Sequence, residues 1–303
     1  MKTNYTAKPF VKWVGGKTQL LHEIEKSLPQ SFFQSKSVTY VEPFVGGGAV
    51  LFWILQKYPN IERAVINDIN PQLITTYRVI KESPNELISI LYDLQDDYLY
   101  LSDAERKEYY IKKRMEYNKF LATDIETAAL FIFLNRTCFN GLYRVNSKGK
   151  FNVPHGKYTC PKICDEDTIL ADSQILQKVE ILCGDFAQTA IYAKRDTLYY
   201  FDPPYKPLSQ TSSFTSYAKE EFDDEEQIRL RDFCYQISKQ HSSFILSNSD
   251  VRDVNSEQGF FDSIYNMFCI KRVMASRMIN SNPDKRGRLS EVMISNTNLL
   301  YQI

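Results

Sequence analysis

Residues 197–205 read Thr197-Leu198-Tyr199-Tyr200-Phe201-Asp202-Pro203-Pro204-Tyr205. The first five form an apolar run of the kind that makes a strand buried within a sheet. The last four put a carboxylate, two rigid backbone carbonyls and an aromatic ring at the carboxyl end of that strand. Open α/β sheets bind their ligands at such strand ends. The two prolines fix φ and carry no N–H, so the carbonyl that faces a ligand is held in place. This group suits attack by an exocyclic amine of a planar ring: the carboxylate and a carbonyl accept the amine's hydrogens while Tyr205 stacks on the base. Taken alone, the same four residues also make an ordinary strand exit, so the reading depends on their surroundings.

Upstream, residues 38–42 are strand-like, followed by Gly46-Gly47-Gly48, a helical run over 49–58 and a second strand over 63–67 that ends at Asp68. Strand, glycine loop, helix and strand begin a doubly wound sheet. Further strands are expected at 179–183, 198–201, 243–247, 266–273 and 291–295, giving a seven-stranded Rossmann-like α/β sheet. Between its halves, residues 71–134 turn helical, with Ser102 and Glu105 spaced as a capping box. Residues 140–145 and 150–154 flank a turn at Asn146-Ser147-Lys148-Gly149 and read as a β-hairpin. The expected organisation is therefore one unit from residues 1–70 and 163–303, with residues 71–162 inserted as a helical and hairpin domain.

The glycine loop Glu42-Pro43-Phe44-Val45-Gly46-Gly47-Gly48 is not a dinucleotide fingerprint, because position 51 is Leu. It does give a tight turn and close backbone approach at a strand end, as an adenosyl group requires. Asp68, at the end of the next strand, stands where a carboxylate holds ribose hydroxyls. Gly184-Asp185-Phe186 ends a further strand and suits hydrogen bonding and packing of an adenine; it reads equally as a strand-to-helix cap. Gly15-Gly16-Lys17-Thr18 resembles the end of a P-loop, but the first Walker glycine would fall at Val11, so nucleotide hydrolysis is not expected. Lys17 beside glycines and Trp13 suits the carboxylate of an amino-acid-like cofactor instead.

Six cysteines lack zinc spacing, and the three histidines are dispersed without metal or triad partners, so no metal is expected. With no apolar run of membrane-spanning length and no signal peptide in the first residues, the expected location is the cytoplasm, with reduced thiols. Net charge is zero, yet residues 106–162 hold twelve Lys or Arg against four acids, and residues 271–288 hold six against one. Acids gather instead at 165–167 and 220–226. Such segregation suits one phosphate-facing side.

In this order, Lys12-Trp13-Val14-Gly15-Gly16-Lys17, Glu42 to Gly48, Asn67-Asp68, Asn135-Arg136 with Asn140-Gly141-Leu142-Tyr143-Arg144, Gly184-Asp185-Phe186 and Asp202-Pro203-Pro204-Tyr205 resemble the Dam-type (D12 class) DNA adenine N6-methyltransferases over nearly the whole chain. The resemblance implies S-adenosylmethionine as cofactor, held by Trp13, Lys17, Phe44, Gly46, Gly48, Asp68, Asp185, Phe186 and Asp202. It implies methylation of a flipped adenine at Asp202, Pro203, Pro204 and Tyr205, with double-stranded DNA as partner. It further implies GATC reading by Lys12, Phe139, Asn140, Leu142, Arg144 and Pro154, and action alone or beside a companion restriction endonuclease. Arg277, Arg286 and Arg288 are expected to contact phosphates. Cys138, Tyr143 and His155 depart from the family's expected pattern and bear on the exact target. The same strand-exit chemistry could serve cytosine N4 or an RNA adenine, or the fold could persist as a silent DNA-binding relative.

Overall fold

The computed structural model describes residues 6–206, 222–251, 259–276 and 288–297. The apolar runs become one sheet of seven strands: β1 (Val38–Glu42), β2 (Ile61–Asp68), β3 (Val179–Cys183), β4 (Thr197–Phe201), β5 (Ser243–Ser249), β6 (Cys269–Ser276) and β7 (Arg288–Ser295). Their order across the sheet is β3-β2-β1-β4-β5-β7-β6. β1 pairs in parallel with β2 and β4, and β7 runs antiparallel between β5 and β6. The order reverses between β1 and β4, so the loops leaving their carboxyl ends diverge and open a crevice. Val41 lies opposite Tyr199 in that pair. The glycine loop after β1 and the Asp-Pro-Pro-Tyr exit after β4 therefore emerge side by side.

The pleat explains how both faces are covered, since alternate residues point to opposite sides. Leu198 and Tyr200 join one buried cluster with Tyr40, Ala64, Ile66, Ile245 and Met293. Val41, Val65, Tyr199, Phe201, Phe244, Leu246 and Ile294 join the cluster on the other face.

The helices are α1 (Leu21–Lys26), α2 (Gln30–Gln34), α3 (Ala49–Lys57), α4 (Pro71–Glu82), α5 (Pro84–Tyr100), α6 (Asp103–Tyr117), α7 (Asp124–Thr137), α8 (Glu166–Leu176), α9 (Asp224–Lys239) and α10 (Phe260–Ile264). The expected cap opens α6, where the Ser102 N–H donates to Glu105 Oε2 at 2.9 Å. α7 is apolar nearly all round, with residues 128–134 all buried, as befits the central helix of a bundle. Its Phe133 and Leu134, with Tyr110 and Phe151, belong to the same cluster as Tyr40 and Leu198. The stretch from 71 to 162 thus shares a core with one face of the sheet, and α4 packs on β2, β3, α7 and α8.

The expected hairpin has the path but not the regularity. Val145 bridges Phe151 and Cys138 bridges His155 as isolated pairs, while Phe139–Gly141 forms a short 3-10 turn. Asn140 and Gly141 both hold positive φ, 55° and 63°, which no extended strand accommodates. Asn146 closes the turn, its Oδ1 accepting from the N–H groups of Lys148 and Lys150 at 2.9 and 3.1 Å. β6 begins at Cys269 rather than Asn266, because Phe268 N–H closes a turn onto the Tyr265 carbonyl at 2.9 Å. β7 extends back to Arg288 to match the length of β6.

Candidate active site

The loop after β1 is tightly built. Gly46 and Gly48 hold φ of 48° and 77°, and a Cβ on Gly46 would lie 2.8 Å from Trp13 Nε1. Any other residue there would need both an unfavourable backbone and a displaced indole. Trp13 in turn stacks on Tyr143 with ring centroids 5.6 Å apart, so the loop, the N-terminal segment and the insert meet at this side chain. Beneath the crevice Glu42 is only 2% exposed and accepts from Tyr40 Oη at 2.7 Å. Burial holds its carboxyl well above the ordinary range.

Asp68 faces the same loop from the end of β2. Its Oδ2 accepts from the Gly46 N–H at 3.0 Å and its Oδ1 from the Asn70 N–H at 2.9 Å. Burial raises its pKa and these two N–H groups oppose the shift. Asn67, not singled out as a site residue in the sequence, ties three strand exits together. Its Nδ2 donates to the Pro43 and Gly184 carbonyls at 3.0 and 2.9 Å, and its Oδ1 accepts from Gln188 at 2.6 Å.

Asp185 caps the turn that follows β3, accepting from the Ala187 N–H at 2.9 Å. It is also gripped by Arg229, whose two terminal nitrogens donate to Oδ1 and Oδ2 at 3.0 and 2.7 Å. Those bonds hold its carboxyl below the usual range. The same guanidinium lies 4.1 Å from the Phe186 ring centroid, and Phe186 packs against Phe44 at 5.4 Å. Of the two roles open for Asp185 in the sequence, the cap is observed, and Phe186 beside it lies in an aromatic wall of the crevice.

After β4, Asp202 pairs with Lys17 at 2.8 Å. Lys17 is 5% exposed and also donates to the Gly15 carbonyl at 2.7 Å. Its ammonium lies 4.4 Å from the Tyr205 ring centroid. Asp202 is set deep, but its side chain keeps 23% exposure toward the crevice. Burial raises its pKa, Lys17 pulls it down and Glu291 pushes it up again. Tyr205 is anchored by its hydroxyl, which donates to Glu291 Oε2 on β7 at 2.6 Å. The Pro204 carbonyl accepts from Gln227 Nε2 at 3.1 Å. Among the described residues, the Pro203 carbonyl accepts no hydrogen bond.

The expected base-reading residues gather on one exposed rim. Lys12, Phe139, Asn140, Arg144 and Pro154 are exposed and Leu142 is half-buried. Arg144 Nε donates to Asn152 Oδ1 at 2.8 Å, and the Phe139 N–H donates to the Pro154 carbonyl at 2.9 Å. Arg277 and Arg286 lie outside the described residues, and of Arg288 only its place at the start of β7 is described.

Glu291 and Gln227 escaped the sequence reading. A lone acid in the apolar part of β7, and a fully buried Gln on the Leu230-Cys234 face of α9, were the available signals. Among the described residues no cluster of His, Cys, Asp or Glu could hold a metal ion, and no helix is long and apolar enough to cross a membrane. A cavity of about 390 Å³ lined by Phe32, Val38, Thr197, Ser243 and His241 lies at the amino ends of β1, β4 and β5, away from this crevice.

A sheet ordered 3-2-1-4-5-7-6 with one antiparallel strand, open at the β1/β4 reversal, has the fold of the α/β methyltransferases. Sequence comparison carries this class to a family. Residues 13–279 match the D12 class N6 adenine-specific DNA methyltransferases, and the chain belongs to that family. It is 48% identical over 292 residues to the Type II methyltransferase M.MjaIII of Methanocaldococcus jannaschii, covering 95% of this chain and 99% of that one. It is 36% identical to the DNA adenine methylase of Haemophilus influenzae, covering 97% and 95%. The DNA adenine methylase of Escherichia coli K12 is 31% identical, again with 97% and 95% covered.

Proposed function

We propose that this DNA adenine N6-methyltransferase takes its methyl group from S-adenosylmethionine and modifies an adenine flipped out of duplex DNA within GATC. The observation that carries the reading is the strand exit itself: Asp202 open to the crevice, a Pro203 carbonyl that accepts no hydrogen bond among the described residues, and the Tyr205 ring pinned by Glu291 at 2.6 Å. The residues present fit the cofactor. Asp68, steadied by two N–H groups, suits ribose hydroxyls, and the positive-φ glycines permit close backbone approach. Phe44 and Phe186 offer an aromatic wall, Asp185 a polar edge, and Lys17 a cation for a carboxylate, with Trp13 closing the side. When bound, S-adenosylmethionine supplies an electrophilic methyl group on a sulfonium.

The chain's own residues do the rest. Asp202 and the Pro203 carbonyl accept the two hydrogens of the target amine, which localises the nitrogen lone pair otherwise conjugated into the ring. Tyr205 stacks on the extruded base. Placed acceptors of this kind and the fixed approach of two reactants supply the rate. Residues 71–162 act as the target-recognition part, with Arg144 suited to a guanine and Leu142 or Pro154 to a thymine methyl. Arg277, Arg286 and Arg288 would add phosphate contacts. Because M.MjaIII and a Lactococcus lactis relative are named Type II methyltransferases, a companion restriction endonuclease acting on the same sequence is part of the proposal.

The test is to incubate the protein with S-adenosylmethionine and a random-sequence duplex pool, then map every methylated position. N6-methyladenine confined to GATC is the expected result. Methylation at other sequences removes the GATC assignment, and N4-methylcytosine removes the adenine assignment.

A further inference from the structure

We infer that Asn135 is a positioning residue that sets the spacing between two base-facing segments, and so fixes sequence discrimination without touching a base. The inference rests on the reading above, in which Lys12 and residues 139–144 face the DNA. Asn135 sits in the last turn of α7 and is 2% exposed. Its Oδ1 accepts from the Lys12 N–H at 2.8 Å, and its Nδ2 donates to the Lys12 carbonyl at 2.8 Å. The second amide hydrogen goes to the Gly141 carbonyl at 3.0 Å. One side chain therefore uses both donors and an acceptor to join the N-terminal segment to the recognition turn.

Sterics enforce the same spacing. Gly141 has φ of 63°, and a Cβ there would lie 2.5 Å from Lys12 Cδ and 2.6 Å from Lys12 Cβ. The Lys12 ammonium is held 4.3 Å from the Tyr158 ring centroid in the return of the hairpin. Other pins fix only the N-terminal strap: Arg136 donates to the Phe10 carbonyl at 2.7 Å, and the Lys8 N–H donates to Asp172 at 3.0 Å. Asn135 bonds to both segments. A buried amide with every hydrogen engaged has a single low-energy orientation, so its loss lets Lys12 and the 139–144 turn move apart.

The test compares kcat/KM on the parent's own preferred duplex with that on every singly substituted duplex, for Asn135→Asp, Gly141→Ala and Lys12→Ala. Asn135→Asp keeps the acceptor for Lys12 and loses both donors. Gly141→Ala keeps the amide bonds and displaces Lys12, so it carries the test if the first variant melts below the assay temperature. All three should lose discrimination about tenfold or more at a shared base pair. A merely structural role would slow every duplex alike; unchanged ratios in folded Asn135→Asp and Gly141→Ala overturn the inference. A parent with no sequence preference at all would instead remove the recognition reading beneath it.

Discussion

Lys17 and Asp202 form an ion pair of 2.8 Å across the base of the crevice, one from the N-terminal glycine segment and the other from the exit of β4. The lysine also faces the Tyr205 ring, which is anchored to Glu291. Charges thus alternate from Asp202 through Lys17 to Glu291, with the aromatic ring between the last two. In the proposed mechanism the acceptor for the target amine thus stands beside a cation that opposes the upward pull of burial on its pKa, and the same cation is the one proposed for the cofactor's carboxylate.

Replacing Asp202 by Ala should leave cofactor binding measurable by calorimetry but lower methyl transfer by roughly a hundredfold to a thousandfold, the usual effect of removing one placed catalytic group. Near-normal turnover of this variant with labelled cofactor would remove Asp202 from the mechanism.

The pH profile tests the ion pair. Asp202 is the stronger hydrogen-bond acceptor when ionised, so kcat should fall as pH drops through its pKa. Burial raises that pKa and Lys17 lowers it. Removing the cation in Lys17→Met should therefore shift the acid limb to higher pH. An acid limb that stays in place, measured with saturating cofactor, would show that another group titrates.

Glu291 and Tyr205 should behave as one unit. Glu291→Ala and Tyr205→Phe remove the same charge-assisted hydrogen bond, a contact worth about 1.5–3 kcal/mol. Their effects on kcat should be non-additive in a double-mutant cycle, whereas Tyr205→Ala should cost more by removing the ring. Strict additivity of the first two would separate the residues.

Arg144→Ala should relax discrimination at one base pair by about 1–3 kcal/mol. Asn152→Ala, which frees the Arg144 Nε held at 2.8 Å, should relax the same base pair to a smaller extent. Competition assays over singly substituted duplexes measure both, and an unchanged profile for Arg144→Ala excludes it as a reader.

Stability should carry its own pH signature at Asp172. The residue is fully buried, its Oδ1 accepts from the Lys8 N–H, and its Oδ2 has no hydrogen-bond partner among the described residues. Burial pushes its carboxyl up to about 9. The folded state then binds more protons than the unfolded chain, so stability falls as pH rises from the ordinary carboxylate range toward 9. Asp172→Asn should raise Tm more at pH 8 than at pH 5; equal shifts would contradict this.

The strand-ending motifs were legible because each is a local covalent fact. A run of apolar residues ending in Asp202-Pro203-Pro204-Tyr205, or in Glu42 and a triple glycine, fixes backbone geometry and chemistry within a few positions. Periodicity likewise placed the strands of the sheet, whose alternate residues do enter opposite cores. What the tertiary structure alone decided are the partnerships across distance. Lys17 meets Asp202, Glu291 anchors Tyr205, Arg229 holds Asp185, and Asn135 ties Lys12 to Gly141. No spacing rule joins residues on different strands and helices, because their proximity follows from the order in which the sheet is wound. The loosened hairpin has a similar cause: Gly141, at positive φ, packs against Lys12 and is bonded by Asn135, contacts that residues 138–156 do not contain.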